Sequence, residues 1–96
     1  MSDHIQIPPY VADQVVDGEA VLLNLRTGVY FGLNGTGTRA WGILKRTGDP
    51  TQLLNEMQHC YGEHSATLPS DLLAWLGELE QCGLILRTHE PHVTAL

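Results

Sequence analysis

One stretch limits the folds open to this chain more than any other: AVLLNLRTGVYFGLNGTGTRAW, from Ala20 to Trp41. Val21, Leu23 and Leu25 fall on one parity and Leu22 and Asn24 on the other, which reads as a strand with an apolar face. Val29, Phe31 and Leu33 repeat that parity beyond Arg26, Thr27 and Gly28, and Gly28 can take the positive φ that a tight turn requires. The pattern predicts a β-hairpin. Asn34, Gly35 and Thr36 then close the second strand and offer capping side chains to a helix that carries Trp41 and Leu44 inward.

The flanks extend this unit. Residues 1–9 are polar and end in Pro8 and Pro9, which cannot donate ladder hydrogen bonds and favour an extended arm. Tyr10 to Val16, with Val11, Val15 and Val16, reads as a strand, and Asp17, Gly18 and Glu19 supply a turn, so three antiparallel strands form a meander. Helical spacing of Ala40, Trp41 and Leu44 predicts a first helix over 37–47 with Gly48 as its stop. Asp49 is placed to cap a second helix, with Pro50 at its first position and Leu53, Leu54 and Met57 as its stripe, ending at Tyr61 and Gly62. Residues 63–68 are polar and read as a loop or single turn. Ser70 is expected to cap a third helix whose Leu72, Leu73, Trp75, Leu76 and Leu79 make an apolar face, ahead of Gly83, wider than one core side requires, so that Trp75 and Leu79 suit either the core or a groove. Leu84 to Leu86 can form a short last strand or an extended cover, and residues 88–96 read as a tail.

The chain has 96 residues and is 43% hydrophobic, which suits one domain over 1–96 with an ordered core at about 10–87. The predicted class is α+β, winged-helix-like, a three-stranded antiparallel meander packed on three helices. Winged helices are often used on DNA, but 11 acidic residues against 5 basic ones give a net charge of −6, which argues against a nucleic-acid backbone as partner. No basic segment leads into an apolar run and no stretch nears about 18 apolar residues, so a cytoplasmic protein with no membrane partner is expected. In that setting Cys60 and Cys82 are expected to stay reduced.

Candidate chemistry is sparse. His59, Cys60, Glu63 and His64 are the only cluster with metal-ligand character, yet the chain has no CxxC or HExxH pair of the kind zinc requires. Exposed histidines at a helix end are the simpler account. Cys60 lacks the orienting partner and oxyanion site of a nucleophile. Gly32, Gly35 and Gly37 lack GxGxxG spacing and a P-loop lysine, so cap and turn roles suit them better. Gly32 has a further meaning, since a glycine inside a strand marks either a bulge or the close approach of another backbone. No catalytic residue, metal or cofactor is expected.

The run LLNLRTGVYFGLNGTGTRAW, together with GLI near Leu84, resembles the PqqD family, small leader-peptide recognition domains of ribosomal peptide natural-product biosynthesis, and within it the free-standing proteins of lasso-peptide pathways. The resemblance spans roughly Val11 to Arg87. It implies that a precursor's leader binds antiparallel to the edge strand, Val29 to Leu33, in a cleft walled by the third helix. On that basis the peptide-binding residues are Val29, Tyr30, Phe31, Gly32, Leu33, Leu72, Trp75, Leu76 and Leu79. The bound leader would be presented to a leader peptidase and then to an ATP-dependent cyclase. The family alternative is a peptide chaperone for a radical enzyme of quinone-cofactor or related maturation.

Such a cleft must supply more than strand pairing. Strand hydrogen bonds net about 0.5–1.5 kcal/mol each, while ordering a peptide residue costs about 1–2 kcal/mol, so pairing alone roughly breaks even and apolar anchors must provide the affinity. Relatives often carry basic residues on the third helix, whereas here its charges are Asp71, Glu78 and Glu80. A small winged-helix transcription regulator is the reading from another class. Its recognition helix should be basic, and the chain offers only Arg39, Lys45 and Arg46 around the first helix.

Overall fold

The computed structural model describes residues 3–61 and 67–89. Its elements in chain order are β1 (Asp3–Gln6), β2 (Val11–Val16), β3 (Glu19–Asn24), β4 (Tyr30–Gly32), α1 (Gly35–Thr47), α2 (Pro50–Tyr61), α3 (Leu68–Gln81) and β5 (Leu86–His89). Strands β2, β3 and β4 form the expected antiparallel meander in that order, and β1 pairs separately with β5. The architecture is the α+β, winged-helix-like one.

The hairpin forms where the sequence places it, but its faces are exchanged on β3. Ala20, Leu22 and Asn24 point into the core, while Val21 is 36% and Leu25 62% exposed. Apolar residues occupy both parities, so alternation alone selects the wrong one, and the decisive residue is polar. Asn24 is buried with both ends of its amide used. Its Oδ1 accepts from the backbone N–H of Arg26 at 2.9 Å and of Thr27 at 3.2 Å, and its Nδ2 donates to the carbonyls of Cys82 at 3.1 Å and Gly83 at 3.2 Å. One side chain thus shapes the β3–β4 turn and fastens it to the end of α3, which removes the penalty of burying an amide. Gly28 completes the turn at φ 79°.

Local signals set the helix ends. Asn34 Oδ1 accepts from Gly37 N–H at 2.8 Å, so α1 begins at Gly35, two residues before the start read from the sequence. Gly48, at φ 63°, ends it. A Cβ on Gly48 would come within 2.8 Å of the Ile5 carbonyl, so this site requires glycine on both conformational and steric grounds. Asp49 caps α2 by accepting from Thr51 N–H at 2.9 Å. Ser70 does not cap α3. The helix starts at Leu68, and Ser70 lies inside its first turn with Oγ donating to the Thr67 carbonyl. Pro69, which needs no hydrogen-bond acceptor there, makes the earlier start favourable.

The core lies between the meander and the helices, with Leu22, Leu44, Leu53, Met57, Leu79, Leu84 and Ile85 fully enclosed. Two further departures concern the ends. Residues Asp3–Gln6 are a strand in register with Leu86–His89, Ile5 opposite Arg87, and Ile5 is 3% exposed. The last strand therefore begins at Leu86 and takes in Thr88, while residues 90–96 lie outside the described residues. The polar loop expected over residues 63–68 falls mostly outside them too.

Candidate functional site

Strand β4 is an edge. The Leu33 N–H donates to the Ala20 carbonyl at 2.8 Å and the Asn24 N–H to the Val29 carbonyl at 2.9 Å. Since alternate residues of an antiparallel strand address opposite neighbours, Val29, Phe31 and Leu33 bond β3, and the N–H and C=O groups of Tyr30 and Gly32 face the open side. The register agrees, with Leu22 opposite Phe31 and Val21 opposite Gly32. Unpaired edges of this kind are templates for another strand.

A hollow of about 420 Å³ opens between this edge and α3. Phe31, Gly32 and Leu33 line one side, and Leu68, Asp71, Leu72, Trp75 and Glu78 line the other. The start of α1, through Asn34, Thr36, Gly37 and Ala40, and Met57 of α2 complete it. A second hollow shares Gly32, Leu33 and Asn34 with the first and continues past the β2–β3 turn, where Asp17 and Glu19 line it. Together they make one track along β4.

Gly32 has an informative environment. It stands in regular register opposite Val21, so it is no bulge, and a Cβ added there would meet nothing within 4 Å. The fold itself makes no steric demand for glycine at this site, whereas the close approach of a further backbone would.

Of the nine residues expected to contact a peptide, Phe31, Gly32, Leu33, Leu72 and Trp75 come together around the hollow. Val29 is 40% and Tyr30 70% exposed, at the start of the edge and outside the lining. Leu76 and Leu79 are at 2% and 0% exposure, in the core instead of on the wall. Helical spacing fixes a face but not a depth, and α3 turns Trp75 toward the cleft and Leu79 toward the centre. Met57, Gly37 and Ala40 were not legible as lining residues, because spacing and cap chemistry assign them to core and turn.

The charges divide sharply. Arg26 lies over the Tyr10 ring at 4.8 Å, Arg39 donates to Tyr61 Oη at 3.1 Å, Lys45 pairs with Asp13 at 2.9 Å, Arg46 with Glu56 at 2.6 Å, and Arg87 is 3.8 Å from Glu80. Each of the five Lys and Arg side chains thus has a partner group within the chain, although Arg87 Nε, at 3.8 Å from Glu80, makes no hydrogen bond. Asp13 also accepts from Trp41 Nε1 at 2.7 Å. The Trp41 hydrogen bond and then Lys45 hold its carboxyl below the usual aspartate value. This contact ties β2 to α1, away from the cleft.

Among the described residues no group of three His, Cys, Asp or Glu side chains is placed to hold a metal; Glu63 and His64 lie outside them. No described helix is long and apolar enough to cross a membrane.

Residues 19–85 match the family described as Coenzyme PQQ synthesis protein D (PqqD). Two solved structures are similar to the chain. One, TbiB1 in complex with the TbiA(beta) leader peptide, is 30% identical with a TM-score of 0.79, covering 88% of this chain and 99% of that one. Another, lasso peptide synthetase B1 complexed with the leader peptide, shares the fold at 24% identity and a TM-score of 0.72, covering 86% and 98%. No curated protein sequence matches significantly.

Proposed function

The chain belongs to the PqqD family, and from that premise we propose that it binds the leader region of a ribosomally made precursor, a lasso-peptide precursor, by taking it up as an extra strand on β4. The observation that carries this reading is the open edge of β4 beside an apolar cleft. The Tyr30 and Gly32 backbone groups supply direction and register, and Phe31, Leu72 and Trp75 supply the apolar contact that strand pairing alone lacks. The leader-bound state of the two similar proteins supports the same assignment.

In this reading the protein has no chemistry of its own. It acts in the cytoplasm as a holder that presents the leader to a leader peptidase and then to a cyclase. Nucleic acid is not its partner, because Arg39, Lys45 and Arg46, the cations nearest to forming a basic face, are committed to Tyr61, Asp13 and Glu56.

Proline scanning tests the proposal, because proline removes one N–H and is tolerated where that N–H faces an open edge. Phe31→Pro breaks the ladder to β3 and should unfold the domain by circular dichroism. Tyr30→Pro and Gly32→Pro should stay folded but fail to hold a fluorescein-labelled leader from the precursor encoded in the same gene neighbourhood, read by anisotropy. Folded Tyr30→Pro and Gly32→Pro proteins that bind the leader normally would rule out strand addition here.

A further inference from the structure

We infer that the peptide taken up along β4 is cationic, with Lys or Arg side chains flanking its apolar anchors, one group facing Asp71 and Glu78 and another reaching Asp17 and Glu19. This rests on the strand-addition reading and specifies the class of peptide it selects. Unused charge is concentrated along this track. Asp13, Glu56 and Glu80 are in ion pairs and Asp49 caps α2. Among the carboxylates whose side chains the structure describes, the four without a hydrogen-bond or ion-pair partner are Asp17, Glu19, Asp71 and Glu78. All four line the track beside β4, and none of the residues lining either hollow is Lys or Arg.

Their spacing fits an extended ligand. Asp71 and Glu78 are seven residues apart on α3, roughly 10 Å along its axis with Trp75 on the same face between them. That distance corresponds to about three residues of extended peptide. An apolar side chain against Trp75 therefore has a carboxylate near it on either side. The Asp17 and Glu19 pair lies past the Gly32 end of the same edge. An acidic peptide would meet uncompensated negative charge at both stations, so the arrangement excludes as well as attracts.

The test is an mRNA-display selection of random 12-residue peptides on the immobilised protein at low salt. Enriched peptides should show alternating apolar residues and a clear excess of Lys and Arg over Asp and Glu. An enriched peptide, labelled with fluorescein, should then bind about two- to five-fold more weakly for each carboxylate neutralised in Asp71→Asn and Glu78→Gln. Glu80→Gln, on the same helix but outside the hollow, should bind as the parent does. Raising salt should weaken the parent more than the doubly neutralised protein. Enriched peptides with no cationic bias, or salt-independent binding by the unaltered protein, overturn the inference while leaving strand addition intact. If no peptide is enriched at all, the strand-addition reading falls with it.

Discussion

The β3–β4 turn and the β4 edge are a few residues apart and are finished in opposite ways. At the turn, Asn24 is 2% exposed and makes four hydrogen bonds, two to the loop it shapes and two to the end of α3. Along the edge, Tyr30 and Gly32 offer backbone groups that β3 cannot reach, beside a hollow lined by Phe31, Leu72 and Trp75. A domain this small has little stability to spare, so it closes its polar groups where they hold the fold. Along β4 the groups left open lie beside the hollow, where a ligand strand would close them.

The sharpest division between fold and cleft runs through α3. Leu79→Ala, at a fully enclosed site, should lower stability by about 2–5 kcal/mol through lost burial and a cavity. Trp75→Ala is expected to cost less stability but to lose leader affinity in protein that is still folded. Urea denaturation and anisotropy measured on both variants separate these outcomes. If Trp75→Ala binds the leader as tightly as the parent, α3 is not the wall of the site.

Next in size is the turn itself. Asn24→Ala removes four bonds and leaves the Cys82 and Gly83 carbonyls without their donor. Four bonds at roughly 0.5–1.5 kcal/mol each sum to about 2–6 kcal/mol, and because the exposed Arg26 and Thr27 N–H groups can turn to water the expected loss is about 2–4 kcal/mol. The variant should denature at lower urea, and its leader binding should recover when conditions restore folding. A melting temperature equal to the parent's would show that the turn does not depend on this side chain.

These residues also show where the sequence is legible. Gly28, Asn34, Gly48 and the Asp49–Pro50 pair act within a few residues of themselves, so their chemistry announces the turn, the caps and the stops. Asn24 bonds carbonyls some 58 residues away, and Ile5 pairs opposite Arg87. No local pattern reports such partners, and so the pattern predicts neither the inward face of β3 nor the β1–β5 pair. The cleft was half legible for the same reason. The strand and Trp75 are found by parity and helical spacing, whereas whether Leu72 or Leu79 borders the hollow depends on how deeply α3 sits, and Met57 enters only through the packing of α2.

The smallest expected effect belongs to the contact farthest from the cleft. Asp13 binds its proton less tightly in the folded protein than when unfolded, through Trp41 first and Lys45 second. Its contribution is therefore full above its unfolded pKa, near the ordinary value of 3.8, and is lost as pH falls through the lower folded value. The loss should be about 1 kcal/mol or less for a partly exposed pair. Asp13→Asn should remove that component of the acid slope in urea titrations between neutral pH and pH 3, leaving leader binding at pH 7 unchanged. An identical slope in parent and variant would show that the pairing carries no stability.

Amide hydrogen exchange on β4, followed by NMR, reaches the central claim most directly. In the free protein the Phe31 amide should be protected and the Tyr30 and Gly32 amides should exchange rapidly. Saturating leader peptide should slow Tyr30 and Gly32 markedly, because their N–H groups gain carbonyl partners, while Phe31 changes little. Rapid exchange at both Tyr30 and Gly32 in the presence of saturating, demonstrably bound leader would contradict strand addition to this edge.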